Sequence, residues 1–271
     1  MKTGQPPTHV LAAFAVAGTL ANLPGGHGQV WATKKVVLKP VDDDAQAAWT
    51  AALVTQVEHR GFRLARPIPA SDGRWVVDGW SAWTRQVGEH SSTRWPELLA
   101  AAAAFHAAVA DVPKPEFIER QADRWRVADR VAWGELPPTK IGKVSHVDRL
   151  LAARQPLDIP SQIVHGDLVG NVLFAEGLPP AIIDLSLYWR PVGYSAAVVV
   201  VDALAWESAS PSILGLIEHF VGWPQLLLRA AIFRIVVSAL ARRAEPWRDD
   251  LSDHYRPLVE LTLSVATGAA R

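Results

Sequence analysis

The residues able to do chemistry are concentrated in one stretch, Val164-His165-Gly166-Asp167-Leu168-Val169-Gly170-Asn171-Val172-Leu173-Phe174, followed by Ile182-Ile183-Asp184. Each polar group stands beside an apolar, strand-like run, so buried flanks hold the loop between them. Asp167 can accept a proton from a substrate hydroxyl. Asn171 and Asp184 offer hard oxygens, which suit Mg²⁺; that ion is usually held by one or two such oxygens plus substrate phosphates, so a short protein ligand set implies a nucleotide. A second group is Gly25-Gly26-His27-Gly28, whose backbone amides can cover phosphates because no side chain intrudes. Lys39 ends the strand that follows and can reach phosphate oxygens as a point charge. The third group is Trp75-Val76-Val77-Asp78-Gly79-Trp80, where backbone groups of Val77, Asp78 and Trp80 could bond an adenine edge.

The elements that must position these residues are readable in outline. Val10 to Leu20 is an apolar run read as a first helix, capped by Thr8 and ended by Pro24-Gly25-Gly26; a signal peptide is the rival reading, but the preceding segment is barely charged. Val30-Trp31 and Val36 to Leu38 read as a hairpin closed by Pro40, with the glycines at its entrance. Asp42 to Arg60 reads as a helix, with acids in its first turn and Gly61 beyond its last. Leu64 to Ile68 and Arg74 to Asp78 read as two strands joined by a turn at Ser71-Asp72-Gly73. Pro96-Glu97 opens an Ala-rich helix running to about Asp111, and residues 116 to 155 are helical with a break at Leu136-Pro137-Pro138. Ile163-Val164, Val172 to Phe174 and Ala181 to Ile183 are strand-like, with a turn at Gly177-Leu178-Pro179-Pro180. From Ser195 onward the chain reads as helices broken at Pro211, Pro224 and Pro246. The expected organisation is a β-rich first domain over residues 1–80 and a helical second domain over 81–271 that carries a short hairpin.

Composition excludes several classes. At about 150 residues per domain, 271 residues suit one large domain or two lobes sharing a cleft. With 49% hydrophobic and 20% charged residues the chain is globular in composition. Lys plus Arg and Asp plus Glu are both 27, which argues against coating nucleic acid or a polybasic membrane anchor. There is no cysteine, so disulfides, thiolate zinc sites and a cysteine nucleophile are out, and a cytoplasmic location fits. No stretch reads as a bilayer-spanning run without a breaker.

Taken singly, each motif has a plainer reading. Gly26-x-Gly28 is as easily a turn, Lys39 a solvated strand end, and His-Gly-Asp a buried histidine beside a turn-forming aspartate. The ordered combination, with Asp184 17 residues after Asp167 across a hairpin, is what gives them joint meaning. It resembles the aminoglycoside phosphotransferase-like family, kin of choline kinases and more remotely of protein kinases. The resemblance covers most of the chain in order and implies an α+β, bilobal protein-kinase-like fold with ATP and Mg²⁺ between the lobes. It implies Asp167 as catalytic base, Asn171 and Asp184 as metal ligands, and Lys39 on the α/β-phosphates. It makes His165 a structural pin for the loop, with Asp202 as a buried support. Activity would be phosphoryl transfer to the alcohol group of a small molecule. The alternative is a catalytically inactive, nucleotide-binding or scaffolding protein on the same fold.

The chain departs from that family's pattern. Asn171 follows Asp167 by four positions where five is usual. Trp31 stands where a third loop glycine would be, and Leu185-Ser186 follows Asp184 in place of an aromatic-acidic pair. The helix acid that would pair with Lys39 is left open among Asp43, Asp44 and Glu58. Tyr188, Trp189 and Arg190 are expected to line an acceptor pocket, since Arg190 would be costly to bury unpaired. Residues 191–271 hold eight acidic and seven basic side chains, which does not advertise a pocket for a polycation, so the acceptor is left open. Gly193-Tyr194-Ser195-Ala196-Ala197 lacks the second glycine of a nucleophile elbow, and Ser195 is expected to cap a helix. No A-P-E-like segment follows Asp184, which disfavours a protein kinase. His106 is expected to be packed. Oligomeric state leaves no signature in the sequence.

Overall fold

The computed structural model describes residues 4–23, 28–144, 146–244 and 252–268. The chain divides into two compact units. The first comprises Met1–Ser91, Ala100–Val109 and Gly170–Leu185; the second comprises Ser92–Leu99, Ala110–Val169 and Ser186–Arg271. The first unit therefore runs past the expected boundary at residue 80. It also takes in the hairpin that carries Asn171 and Asp184.

In the first unit, strands β1 (Ala21–Asn22), β2 (Trp31–Ala32), β3 (Val36–Pro40), β5 (Pro67–Ile68) and β6 (Trp80–Thr84) form an antiparallel sheet in the order β1-β2-β3-β6-β5. Lys39 lies opposite Ser81 in the β3–β6 pair. A second sheet, in the order β4-β9-β8, joins β4 (Arg63–Leu64), β8 (Val172–Ala175) and β9 (Leu178–Ile182). The sequence pattern put Pro179 and Pro180 in a turn; β9 absorbs both, and Arg63 Nε donates to the Pro179 carbonyl at 2.8 Å. The expected strand from Leu64 to Ile68 is split between the two sheets.

Helix α1 (Thr8–Ala13) is shorter than the apolar run suggested and has no side-chain cap, because Pro7 occupies the N-cap position. Val10 and Phe14 are buried against Leu38, Trp80 and Ala82, so tertiary packing decides where this helix stops. Helix α2 (Asp44–Gln56) begins where Asp43 accepts from the Gln46 amide at 3.0 Å.

The second unit is built on the first turn or so of α3 (Trp95–Ala108), α4 (Phe117–Arg120), α5 (Arg124–Trp133), α6 (Val147–Ala152), α7 (Val192–Trp206), α8 (Trp223–Ala244) and α9 (Ser252–Thr267), with the two-stranded pair β7 (Gln162–His165) and β10 (Leu187–Arg190). Helix α7 holds the run Val198 to Val201, and every residue from Gly193 to Ala203 is buried. Valine loses a few tenths of a kcal/mol per residue in helix propensity, about 0.7 at most, while burying its side chain contributes about 1.5–3 kcal/mol. The buried environment therefore decides the helix. Helix α8 is, by length and composition alone, apolar enough to cross a membrane, contrary to the sequence expectation; 78% of its most apolar window is buried inside the protein, as a core helix is.

Candidate active site

Within the first unit, Lys39 Nζ donates to Asp184 Oδ1 at 2.9 Å. The partner of Lys39 is therefore the proposed metal-binding carboxylate. Inside α2 the acid present is Asp44, in its first turn, while Asp43 is used as the cap. Asp184 sits just past the end of β9, with φ near +50°. A non-glycine residue in that region is strained, and such strain concentrates at functional positions. The Ile183 amide donates to the Asn171 carbonyl at 2.9 Å, continuing the β8–β9 ladder beyond Val172 and Ile182. Asn171 and Asp184 thus share one end of one hairpin. Among the described residues, no three His, Asp or Glu side chains gather into a metal cluster.

Gly25 and Gly26 lie outside the described residues. Gly28 follows them in the β1–β2 connection with φ near +69°, and open space surrounds the position of a Cβ. Asn22 Nδ2 donates to the Gly28 carbonyl at 2.7 Å, tying the far side of the loop to β1. Gly28 therefore lies in the connection from β1 to β2, not between the first helix and a hairpin as expected.

The expected adenine-binding segment is a correction. Val77 and Trp80 exchange both main-chain hydrogen bonds, at 2.9 and 3.0 Å, around Asp78 and Gly79, whose φ values are both positive. This is a two-residue turn of the primed kind that Asp-Gly favours. The Gly79 carbonyl accepts from Val41, and Trp80 pairs with Pro40 in the sheet. The turn and sheet occupy the main-chain groups of Val77 and Trp80, and the Asp78 side chain faces His9 at 3.4 Å.

In the second unit, His165 is fully buried, and its Nδ1 accepts from the Asp167 amide at 3.1 Å. Its carbonyl accepts from the Ser195 hydroxyl at 2.5 Å. Ser195 thus anchors β7 from inside α7 and caps nothing; Pro191 is the N-cap. The Gly166 amide donates to Ser186. A Cβ at Gly166 would lie 2.4 Å from the Tyr188 ring, so only glycine fits there. Tyr188 is buried beneath this loop, with its hydroxyl pKa raised chiefly by burial, and is not among the residues lining the cavity that Trp189 and Arg190 border.

Asp167 is met by a residue that the motif search overlooked. Arg234 of α8 donates from Nη2 to Asp167 Oδ1 at 2.7 Å, and from Nε to Asp202 Oδ1 at 2.7 Å. Arg234 and Asp202 are buried, while the Asp167 side chain is 38% exposed. Asp202 therefore supports the loop at one remove, through Arg234. Burial pushes the Asp202 carboxyl up to about 6 against the pull of Arg234. The one sequence signal for Arg234 was a charge in the middle of an apolar helix.

Arg190 is buried but paired. Its Nη2 donates to Asp129 at 2.6 Å and its Nη1 to Glu135 at 2.5 Å. Burial opposes its charge, but Asp129 and Glu135 outweigh burial and raise its pKa. Arg190 thus clamps the end of β10 to α5, and together with Trp189 it borders a cavity of about 460 Å³.

With this geometry described, comparison with known proteins is informative. A profile of the phosphotransferase enzyme family matches residues 23–192, more than half of the chain. No curated protein matches. The fold is similar to that of an aminoglycoside phosphotransferase from Alicyclobacillus acidocaldarius, at TM-score 0.60 and 14% identity, covering 100% of this chain and 97% of that one. It is similar to choline kinase LicA from Streptococcus pneumoniae, at TM-score 0.59 and 11% identity, covering 96% and 97%. A spectinomycin phosphotransferase in complex with ADP and spectinomycin matches at TM-score 0.53 and 14% identity, covering 93% of each chain. At such identities these likenesses establish the fold alone, the α+β protein-kinase-like one expected from the motifs. By the family match, together with that fold, this chain belongs to the phosphotransferase enzyme family.

Proposed function

We propose that the protein transfers the γ-phosphoryl group of ATP, with Mg²⁺, to a hydroxyl of a small molecule in the cytoplasm. The observation that carries this reading is the 2.9 Å contact between Lys39 and Asp184, 145 residues apart, on the hairpin end that Asn171 shares. An ammonium and two hard-oxygen side chains brought to one place suit a phosphate chain and its cation. The donor set fits magnesium: the Asp184 side chain is 57% exposed, and Asn171 adds an amide oxygen. Asn171 and Asp184 would hold the ion, which supplies charge neutralisation on the phosphate oxygens.

Lys39 would turn from Asp184 to the α/β-phosphates, and the amides around Gly25, Gly26 and Gly28 would cover them. Asp167 would orient the acceptor hydroxyl and take its proton as the new oxygen–phosphorus bond forms. His165 holds the Asp167 amide, and Arg234 fixes the carboxylate through Oδ1. The site would work mainly by positioning and charge.

The test is ADP release against a library of small hydroxyl compounds. Asp184→Ala should abolish Mg-ATP turnover. Asp167→Ala should lose transfer while ATP still raises the melting temperature. Equal turnover in both variants and the parent protein would overturn these roles. A second reading, a non-catalytic nucleotide-binding protein, is favoured by the Arg234 bond to Asp167 and by the four-residue spacing to Asn171. It expects stabilisation by ATP without Mg²⁺ dependence, and no transfer to any acceptor.

A further inference from the structure

The 460 Å³ cavity of the second unit is bordered by Ile118, Arg126, Asp129, Glu135, Trp189 and Arg190, with Lys114, Glu119 and Arg130 at its edge. That volume suits a small molecule. Its charges are largely matched. Lys114 holds Glu119 at 2.8 Å, and Arg190 holds both Asp129 and Glu135. Arg130 reaches Glu135 only at 4.0 Å.

Arg126 is the exception. It is 6% exposed, its Nη2 donates to the Leu187 carbonyl at 2.6 Å, and its guanidinium lies 3.9 Å over the Tyr188 ring. Its Nη1 is buried and has no hydrogen-bond partner among the described residues. The placement is not a loose surface accident. Asp123 caps α5 by accepting from the Trp125 and Arg126 amides, and Gly134, left-handed at φ 80°, ends the helix. Between those caps, Arg126, Asp129, Arg130 and Trp133 recur at helical spacing on one face. A buried guanidinium N–H without an acceptor is costly, and the cavity wall carries four cations against three carboxylates. Trp189 and Ile118 add an apolar wall.

We propose that this cavity binds a small molecule bearing an oxyanion, a carboxylate or a phosphate monoester, with the Arg126 guanidinium as its anchor and an apolar or planar body against Trp189 and Ile118. The anchor also touches the loop of Asp167 indirectly. Arg126 stacks on Tyr188, and Tyr188 fills the space beside Gly166. The site stands on binding alone and does not require phosphoryl transfer.

The test is calorimetric titration of the whole protein, without nucleotide, using phenyl phosphate and benzoate. Phenol and benzylamine serve as neutral and cationic controls of similar shape. At least one of the two anions should bind and the controls should not; which anion binds more tightly tells the phosphate from the carboxylate. Arg126→Met should weaken binding about tenfold or more, as loss of a charge-assisted bond does. Should Arg126→Met fail to fold, Ile118→Trp fills the cavity and leaves Arg126 in place, and it must abolish binding too. Equal affinity for the anions and phenol, or unchanged affinity in Ile118→Trp, overturns the proposal.

Discussion

The two carboxylates to which the proposed function gives roles are held in opposite ways. Asp184 is more than half exposed and meets one lysine, itself only partly covered, on the rim of a hairpin. Asp167 is tied to a guanidinium that is buried, shared with a second buried carboxylate, and fixed within the longest helix. The first pair can part at little cost, since an exposed ion pair is worth about 0–1 kcal/mol. The second cannot, because removing one member leaves another charge buried and uncompensated. On the proposed function, the group that would exchange partners when a nucleotide arrives is kept shallow, while the group that would hold one orientation is tied to a guanidinium rooted in the core.

The sharpest way to break this contrast is Arg234→Met. It leaves Asp202 buried without its partner and should cost about 3–5 kcal/mol of stability. Denaturant unfolding reads it directly, and adding Asp202→Leu should recover a large part of the loss. No recovery would mean that Arg234 acts through packing alone. Next comes Lys39→Met. Stability should change by no more than about 1 kcal/mol, while transfer should fall about 10²–10³-fold, as loss of one electrostatic contact to a developing charge does. A stability loss as large as that of Arg234→Met would erase the distinction between the two pairs. Third is Gly166→Ala, whose Cβ meets the Tyr188 ring. Overpacking of this kind costs about 1–3 kcal/mol, and Tyr188→Leu should relieve it in the double variant.

How much of this was legible in the sequence follows the same division. His165, Asp167, Asn171 and Asp184 stand out in the sequence because each lies beside an apolar β run, so local pattern and chemistry coincide. Lys39 stands out for the same reason, but the partner expected on α2 lies instead on β9's exit, 145 residues away. Arg234 was missed because nothing near it in sequence bears on Asp167; the bond joins residues 67 apart across helix packing. The Trp75 to Trp80 segment was misread for a different reason. The apolar run Trp75-Val76-Val77 reads as a strand, while Asp78-Gly79, a strong two-residue turn signal, outweighs it. Strand β10 reads as pocket lining because it follows Asp184 closely and Arg190 would be costly to bury unpaired. Pairing with β7 buries Tyr188 and leaves Trp189 and Arg190 at the cavity.

The smallest expected effect is a pH dependence in the first unit, away from both carboxylates. His59 is half-buried, stacks 5.5 Å from Phe62, and has a buried Nε2 without a hydrogen-bond partner among the described residues. Burial first, and the charge of Arg66 second, push its pKa below the usual histidine value. The unfolded chain therefore binds a proton more readily than the folded one, and stability must rise with pH until the unfolded value near 6.5 is passed. His59→Phe keeps the ring contact and removes the titration. The difference between parent and variant stability should slope below pH 6.5 and flatten above it. Asp202, whose raised pKa makes its own contribution fall as pH climbs from about 4 to about 6, is common to both proteins and cancels in that difference. A flat difference across the whole range would show that His59 binds a proton as readily in the folded protein as in the unfolded chain, and that its burial carries no cost.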